Sequence, residues 1–175
     1  MRKEQYQVPE VQFVFREDGE FVVRTTSELF DKKRVVIFSL PGAFTPTCSA
    51  FQLPGFELKY DEFTALGIDA IYCISVNDGF VMNAWAKDQN IEKVTLIPDG
   101  NAYFTRGMGY LVNKSNLGFG DRSWRYAAVV DHGIIEKIFV EDGMTDNAEN
   151  DPYEVSTPEN VLEYVKSTVR ETVPA

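Results

Sequence analysis

Short apolar runs alternate along this chain with longer stretches whose apolar residues recur at helical spacing, the pattern of strands interleaved with helices. Gln12 to Phe15 and Phe21 to Arg24 flank Glu17-Asp18-Gly19, and Asp-Gly between two β-rich runs predicts a hairpin. Thr26 to Phe30 reads as a short capped helical turn. Val35-Val36-Ile37-Phe38 is apolar at every position, as in a strand covered on both faces. Leu40-Pro41-Gly42 breaks it into a loop. A helix is expected to follow, with Thr45 as N-cap and Pro46 as first helical residue, kinked or broken at Pro54. Phe56, Tyr60, Phe63 and Leu66 then recur at helical spacing up to a stop at Gly67.

Ala70 to Ser75 predicts a second buried strand, with Asn77-Asp78-Gly79 as its exit loop and Phe80 to Gln89 as a helix. Val94 to Ile97 predicts a third buried strand, Pro98-Asp99-Gly100 a turn and Ala102 to Met108 a short helix. Trp124 to Val130 and Ile134 to Val140, around Asp131-His132-Gly133, predict a closing antiparallel hairpin. Pro158 to Arg170 predicts a final amphipathic helix. The order is that of an α/β fold, a central mixed β-sheet flanked by helices, in a thioredoxin-like arrangement. A length of 175 residues fits a single domain over 1–175. The one long loop, Glu141 to Ser156, is acidic.

The chain carries a formal charge of −10, which repels phosphate backbones and anionic lipid and disfavours nucleic-acid or membrane partners. Its start lacks the apolar core of a secretory signal, and no apolar run approaches the roughly 20 residues of a membrane span. A reducing cytoplasmic setting is therefore expected. Cys48 and Cys73 are the two cysteines, and their spacing fits neither a zinc site nor a C-x-x-C pair. With His132 as the single histidine, histidine-based metal sites and Ser-His-Asp schemes are hard to assemble. No feature calls for a metal, flavin or nicotinamide cofactor.

Thiol chemistry must then come from one of two sulfurs. Cys48 lies between the end of a buried strand and the first turn of a helix, where open α/β sheets place ligands. Unpaired backbone N–H groups and the positive end of the helix dipole favour a thiolate there. The alternative is a small buried hydrophobe, but Thr45, Thr47 and Ser49 make its surroundings polar.

Pro41-Gly-Ala-Phe-Thr-Pro-Thr-Cys48 resembles the P-x-x-x-T-x-x-C loop of peroxiredoxins, and its wording resembles the type-V branch. The resemblance continues through Leu53-Pro54-Gly55-Phe56, Ser75-Val76-Asn77-Asp78, Ile97-Pro98-Asp99-Gly100 and the stretch Gly118 to Tyr126. It is closest to the peroxiredoxin part of bacterial hybrid peroxiredoxin–glutaredoxin proteins. The resemblance implies a thiol peroxidase that reduces hydrogen peroxide and small organic hydroperoxides through Cys48 as peroxidatic cysteine. It implies that Thr45 meets the peroxide with its hydroxyl, that Pro41 limits solvent access, and that an arginine holds the thiolate and polarises the peroxide. Of Arg122 and Arg125, the block Arg-Ser-Trp-Arg-Tyr matches with the second as the catalytic one, so Arg125 is expected in that role and Arg122 as a surface residue.

Residues 141–175 contain no cysteine that could resolve the oxidised enzyme. Cys73, within Ile71-Tyr72-Cys73-Ile74, reads as a buried and unreactive strand residue. A one-cysteine cycle completed by an external thiol is expected, with glutathione, with or without glutaredoxin, as the reductant suggested by the family. A two-cysteine cycle through Cys73 and a non-turnover peroxide sensor are the alternatives. Phe44 and the Asn77 to Phe80 loop lie where relatives pair, so a homodimer is expected there. Phe80, Met82 and Trp85 read as core residues of one helix, and His132 as an exposed turn residue.

Overall fold

A computed structural model describes residues 1–46 and 48–168, apart from the side chain of Cys48. Thr47, the Cys48 thiol and the Val169–Arg170 end of the expected last helix lie outside the described residues. The chain opens with a hairpin of β1 (Gln12–Glu17) and β2 (Glu20–Thr25), in which Glu17 faces Glu20. Asp18 and Gly19 both have positive φ, 50° and 78°, the backbone of a two-residue type I′ turn. Helix α1 (Thr26–Phe30) follows at once, with Thr25 and Glu28 in a reciprocal capping box that contributes about 1 kcal/mol.

The central sheet has the order β5-β4-β3-β8-β9. Strands β3 (Arg34–Ser39), β4 (Ala70–Ser75) and β5 (Thr95–Pro98) run parallel. Strand β8 (Tyr126–Asp131) is antiparallel to β3, and β9 (Ile134–Val140) is antiparallel to β8. His132 (φ 51°) and Gly133 (φ 78°) close that second hairpin. Side chains alternate across the sheet as the strand period demands. Val36, Phe38, Ile71, Cys73, Ala127 and Val129 face one core layer. Val35, Ile37, Tyr72, Ile74, Ala128 and Val130 face the other.

Helices α2 (Cys48–Leu58), α3 (Tyr60–Ala65), α4 (Gly79–Asp88) and α6 (Pro158–Ser167) cover the first layer through Leu53, Phe56, Phe63, Trp85 and Val161. The β1–β2 hairpin, α1 and α5 (Tyr103–Met108) cover the second through Phe13, Phe30 and Phe104. Each such buried ring stabilises the fold by about 2 kcal/mol of transfer free energy. The mixed sheet covered on both faces is the thioredoxin-like architecture expected.

Four local expectations are corrected. The first helix begins at Cys48, two residues after Pro46, because the Thr45 hydroxyl bonds across the loop rather than capping the helix. Pro54 sits inside α2 without ending it; the break falls at Lys59, whose N–H still reaches Gly55 O at 3.2 Å. Strand β5 is an edge strand with Thr95 exposed, so only its far end is buried. Phe80 is exposed on α4 and meets Phe21 edge-on at 5.9 Å, while Met82 and Trp85 are buried as expected. Strands β6 (Leu111–Asn113) and β7 (Asp121–Ser123) pair as a small separate sheet. Three residues each are too few for an alternation to be read.

Candidate active site

The loop from Pro41 to Pro46 leaves the buried end of β3 and delivers the chain to the first turn of α2 at Cys48. Its backbone is unusual. Gly42 has φ 151° and Phe44 has φ 61°, a conformation that an aromatic residue adopts at a cost of order 1 kcal/mol or more. Two neighbours hold the loop in that shape. Asn77, just past β4, accepts from Ala43 N at 2.9 Å and from the Ser75 hydroxyl at 2.6 Å through the same Oδ1. Arg122, on β7, donates from Nη1 to Pro41 O at 2.9 Å. A Cβ at Gly42 would land on that guanidinium, so glycine is needed for close approach as well as for φ.

Thr45 and Arg125 belong to one hydrogen-bond chain. The Thr45 hydroxyl lies 2.7 Å from Gly42 O and 2.7 Å from the Ser49 hydroxyl. Arg125 Nη2 donates to that Ser49 oxygen at 3.3 Å. A guanidinium only donates, a carbonyl only accepts, and each hydroxyl has one proton. All three contacts are satisfied together in one direction: Arg125 to Ser49, Ser49 to Thr45, Thr45 to Gly42 O.

Arg125, directly before β8, is 1% exposed. A cation this deep in the protein needs acceptors on every side. Nη1 donates to Gln52 Oε1 at 2.7 Å. Nε and Nη2 form a two-pronged bond to the Asp151 carboxylate at 3.2 and 2.7 Å. Tyr153 stands with its ring centre 5.8 Å from the guanidinium carbon. Ser49 and Gln52 are both fully buried, and their three-residue spacing on α2 puts them on one helix face beside Cys48.

The acidic loop between β9 and α6 is anchored by its own first residue. The buried Glu141 carboxylate accepts from the N–H groups of Glu154, Val155 and Ser156 and from the Ser156 hydroxyl, at 2.6 to 3.3 Å. Gln52 Nε2 donates to Ser156 O at 3.0 Å, so one amide joins Arg125 to that loop. Cys73 lies in the middle of the sheet, facing Phe38 on β3 and Leu96 on β5. Burial pushes its thiol far above the ordinary range, and Arg125 offsets this only in part.

Of the residues singled out from sequence, the structure thus joins Thr45 and Arg125 in one network at the start of α2. Pro41 is buried, and its carbonyl is the acceptor of Arg122; Arg122 is therefore half-buried against the loop rather than a surface residue. The Cys48 backbone opens the helix beside them. His132 is exposed in its turn and accepts from Lys32 N through Nδ1. Sequence reasoning missed Ser49, Gln52, Glu141 and Asp151. The Ser49-x-x-Gln52 spacing was a usable signal for the first pair; nothing local marked the acidic two.

The chain matches the family model described as redoxin over residues 4–156. It is 63% identical over 145 residues to a peroxiredoxin of Sinorhizobium fredii, covering 83% of this chain and 77% of that one. A hybrid peroxiredoxin of Haemophilus influenzae is 51% identical over 90% of this chain, which spans 64% of that protein's length. The crystal structure of a Plasmodium falciparum antioxidant protein described as a 1-Cys peroxiredoxin superposes with a TM-score of 0.90 at 42% identity, over 95% of this chain and 99% of that one. The loop that opens α2, the buried arginine before β8 and these relationships lead to one conclusion: the chain belongs to the redoxin family, among the peroxiredoxins, the thiol peroxidases.

Proposed function

We propose that this chain is a type-V peroxiredoxin that reduces hydrogen peroxide and small organic hydroperoxides through Cys48, in a one-cysteine cycle completed by glutathione, with or without glutaredoxin. The observation that carries the reading is the hydrogen-bond chain from Arg125 through Ser49 to Thr45, next to the helix turn that begins at Cys48. Peroxide is small and offers little to grip, so the site must orient it by hydrogen bonds and stabilise the charge that moves as the O–O bond breaks.

The Cys48 thiolate attacks one peroxide oxygen. A sulfur–oxygen bond forms, the O–O bond breaks, and the electron pair leaves on the second oxygen as hydroxide or alkoxide, which takes a proton. Sulfur is oxidised by two electrons to a sulfenic acid. Arg125 carries a planar, charged guanidinium that presents its donors in one plane, so it stabilises both the thiolate and the departing oxygen. Thr45 directs the peroxide, and Pro41 with the loop backbone restricts water at the sulfur. One glutathione thiol then displaces water from the sulfenic acid to give a mixed disulfide. A second releases oxidised glutathione and restores the thiolate.

Two observations favour the external thiol. Cys73 sits in the middle strand of the parallel set with its thiol held protonated by burial, a poor resolving group. Relatives include a protein described as a 1-Cys peroxiredoxin and a hybrid peroxiredoxin. The exposed rings of Phe44 and Phe80 are the surface on which we place a homodimer contact. The whole chain, 1–175, acts as one domain in this reading, in a reducing cytoplasm; among the described residues no helix is long and apolar enough to cross a membrane.

Steady-state peroxide consumption with glutathione, glutaredoxin plus glutathione, or thioredoxin supplied in turn tests this. Cys48→Ser should abolish turnover with each reductant, because the alcohol stays protonated, while Cys73→Ser should retain it. Mass spectrometry after one equivalent of peroxide and glutathione should find the adduct on Cys48. A Cys48–Cys73 bridge as the sole product would replace the one-cysteine cycle. Arrest after one equivalent with every reductant would make the protein a sensor.

A further inference from the structure

The acidic loop between β9 and α6 contains six carboxylates, Glu141, Asp142, Asp146, Glu149, Asp151 and Glu154. Five of them lie away from Arg125 in the hydrogen bonds described. Asp151 alone grips it, through both oxygens and two guanidinium nitrogens. A two-pronged carboxylate–guanidinium bond fixes the plane of the guanidinium as well as its place. The loop delivers Asp151 from a held backbone. On one side, Asp146 Oδ1 accepts from Asn113 N at 2.8 Å, and Asn147 N donates to Asn113 O at 2.7 Å. On the other, Glu141 gathers the N–H groups of residues 154–156.

Asp151 also serves a second cation. Lys114, between β6 and β7, is 3% exposed, with its ammonium 5.6 Å from the Trp124 ring centre. Burial pushes the Lys114 pKa down; Asp151 opposes that shift and Arg125 adds to it.

We propose that Asp151 is a positioning residue for peroxide reduction: its carboxylate sets the plane of the Arg125 guanidinium and offsets that buried positive charge. In this scheme Asp151 acts through Arg125. The inference rests on the peroxidase reading above and assigns a task to a loop that supplies no thiol.

The two effects have opposite signatures. Asp151→Asn keeps the shape of the side chain but loses its charge and one acceptor, while Gln52 and Ser49 still hold Arg125 in place. The rate of Cys48 oxidation should fall about tenfold through lost orientation. The Cys48 pKa should stay put or fall, because the cluster becomes more positive. Removing Arg125 itself would lower the rate and raise that pKa.

Stopped-flow oxidation by hydrogen peroxide reads the rate. The pH dependence of Cys48 alkylation by iodoacetamide, followed on its own peptide by mass spectrometry, reads the pKa without needing peroxidase activity. Asp151→Glu, which keeps the charge on a longer arm, should retain the wild-type pKa and recover part of the rate; it also covers the case in which the asparagine variant does not fold. A wild-type rate in both variants, with or without a change in thermal midpoint, would overturn the proposal, as would a slower variant with a raised Cys48 pKa. A wild-type protein whose Cys48 does not react with peroxide would sink the peroxidase reading itself, so the two failures are told apart.

Discussion

Arg122 and Arg125 leave the chain three residues apart and reach the same segment, yet their surroundings differ in kind. Arg122 is half-buried on the small β6–β7 sheet and, among the described residues, bonds main chain alone: Nη1 to Pro41 O and Nε to Phe119 O, with its guanidinium 5.2 Å from the Phe119 ring centre. Among the described residues, buried Arg125 bonds side chains alone: Gln52, Ser49 and Asp151. The first tethers the start of the loop. The second stands at its end, where the helix begins, with hydroxyl and amide groups that can rearrange around a ligand. Two like residues three positions apart thus divide into a backbone clamp and a candidate reaction partner, because strand alternation and the β7–β8 break send them to different neighbours.

The largest separation is expected from Arg125→Ala. Removing a preorganised donor at a site of charge development costs about 10²–10³-fold in rate, and the Cys48 pKa should rise as the thiolate partner of the peroxidase reading goes. Thermal unfolding should also shift, since buried Ser49 and Gln52 lose a shared partner. Stopped-flow oxidation and Cys48 alkylation against pH would measure both effects. Arg125→Lys sharpens the point: the charge returns without the planar fork, so the Cys48 pKa should recover while the rate stays below wild type by about tenfold.

Gly42→Ala tests the clamp. The new methyl group would meet the Arg122 guanidinium at a φ that L side chains rarely adopt, so a loss of about 1–3 kcal/mol in stability is expected, read by denaturant unfolding. Arg122→Ala should do least to the chemistry: a rate loss smaller than about tenfold, because the Pro41 carbonyl can bond water instead, and a smaller rise in Cys48 pKa than Arg125→Ala gives. If Arg122→Ala matches Arg125→Ala in both readouts, the division between the two arginines is wrong.

Much of the fold was legible along the chain because its signals are local. Asp18-Gly19 and His132-Gly133 sit in the positive-φ turns that their residue types favour. The apolar runs of β3 and β4 are buried at nearly every position, as strands covered on both faces must be. What escaped notice lacked such a signal. Strands β6 and β7 are held by each other rather than by a repeating pattern. The exposure of Phe80 depends on the facing Phe21 and Arg16 from the β1–β2 hairpin, a contact far apart in sequence.

The site divides in the same way. The motif around Cys48 named Thr45 and Pro41, the block Arg-Ser-Trp-Arg-Tyr named Arg125, and spacing on α2 could have added Ser49 and Gln52. No reading along the chain could single out Asp151 or Glu141 among six carboxylates in one polar loop. Residue type and near-neighbour spacing determined the strand and turn grammar, the acidic balance and the cysteine set for chemistry. Tertiary structure alone decided that Arg122 clamps the loop backbone, which carboxylate grips Arg125 and which side chains join it to Thr45. The reason is physical: burial and charge pairing depend on groups brought together from distant parts of the chain, and a pattern of neighbours carries no record of that meeting.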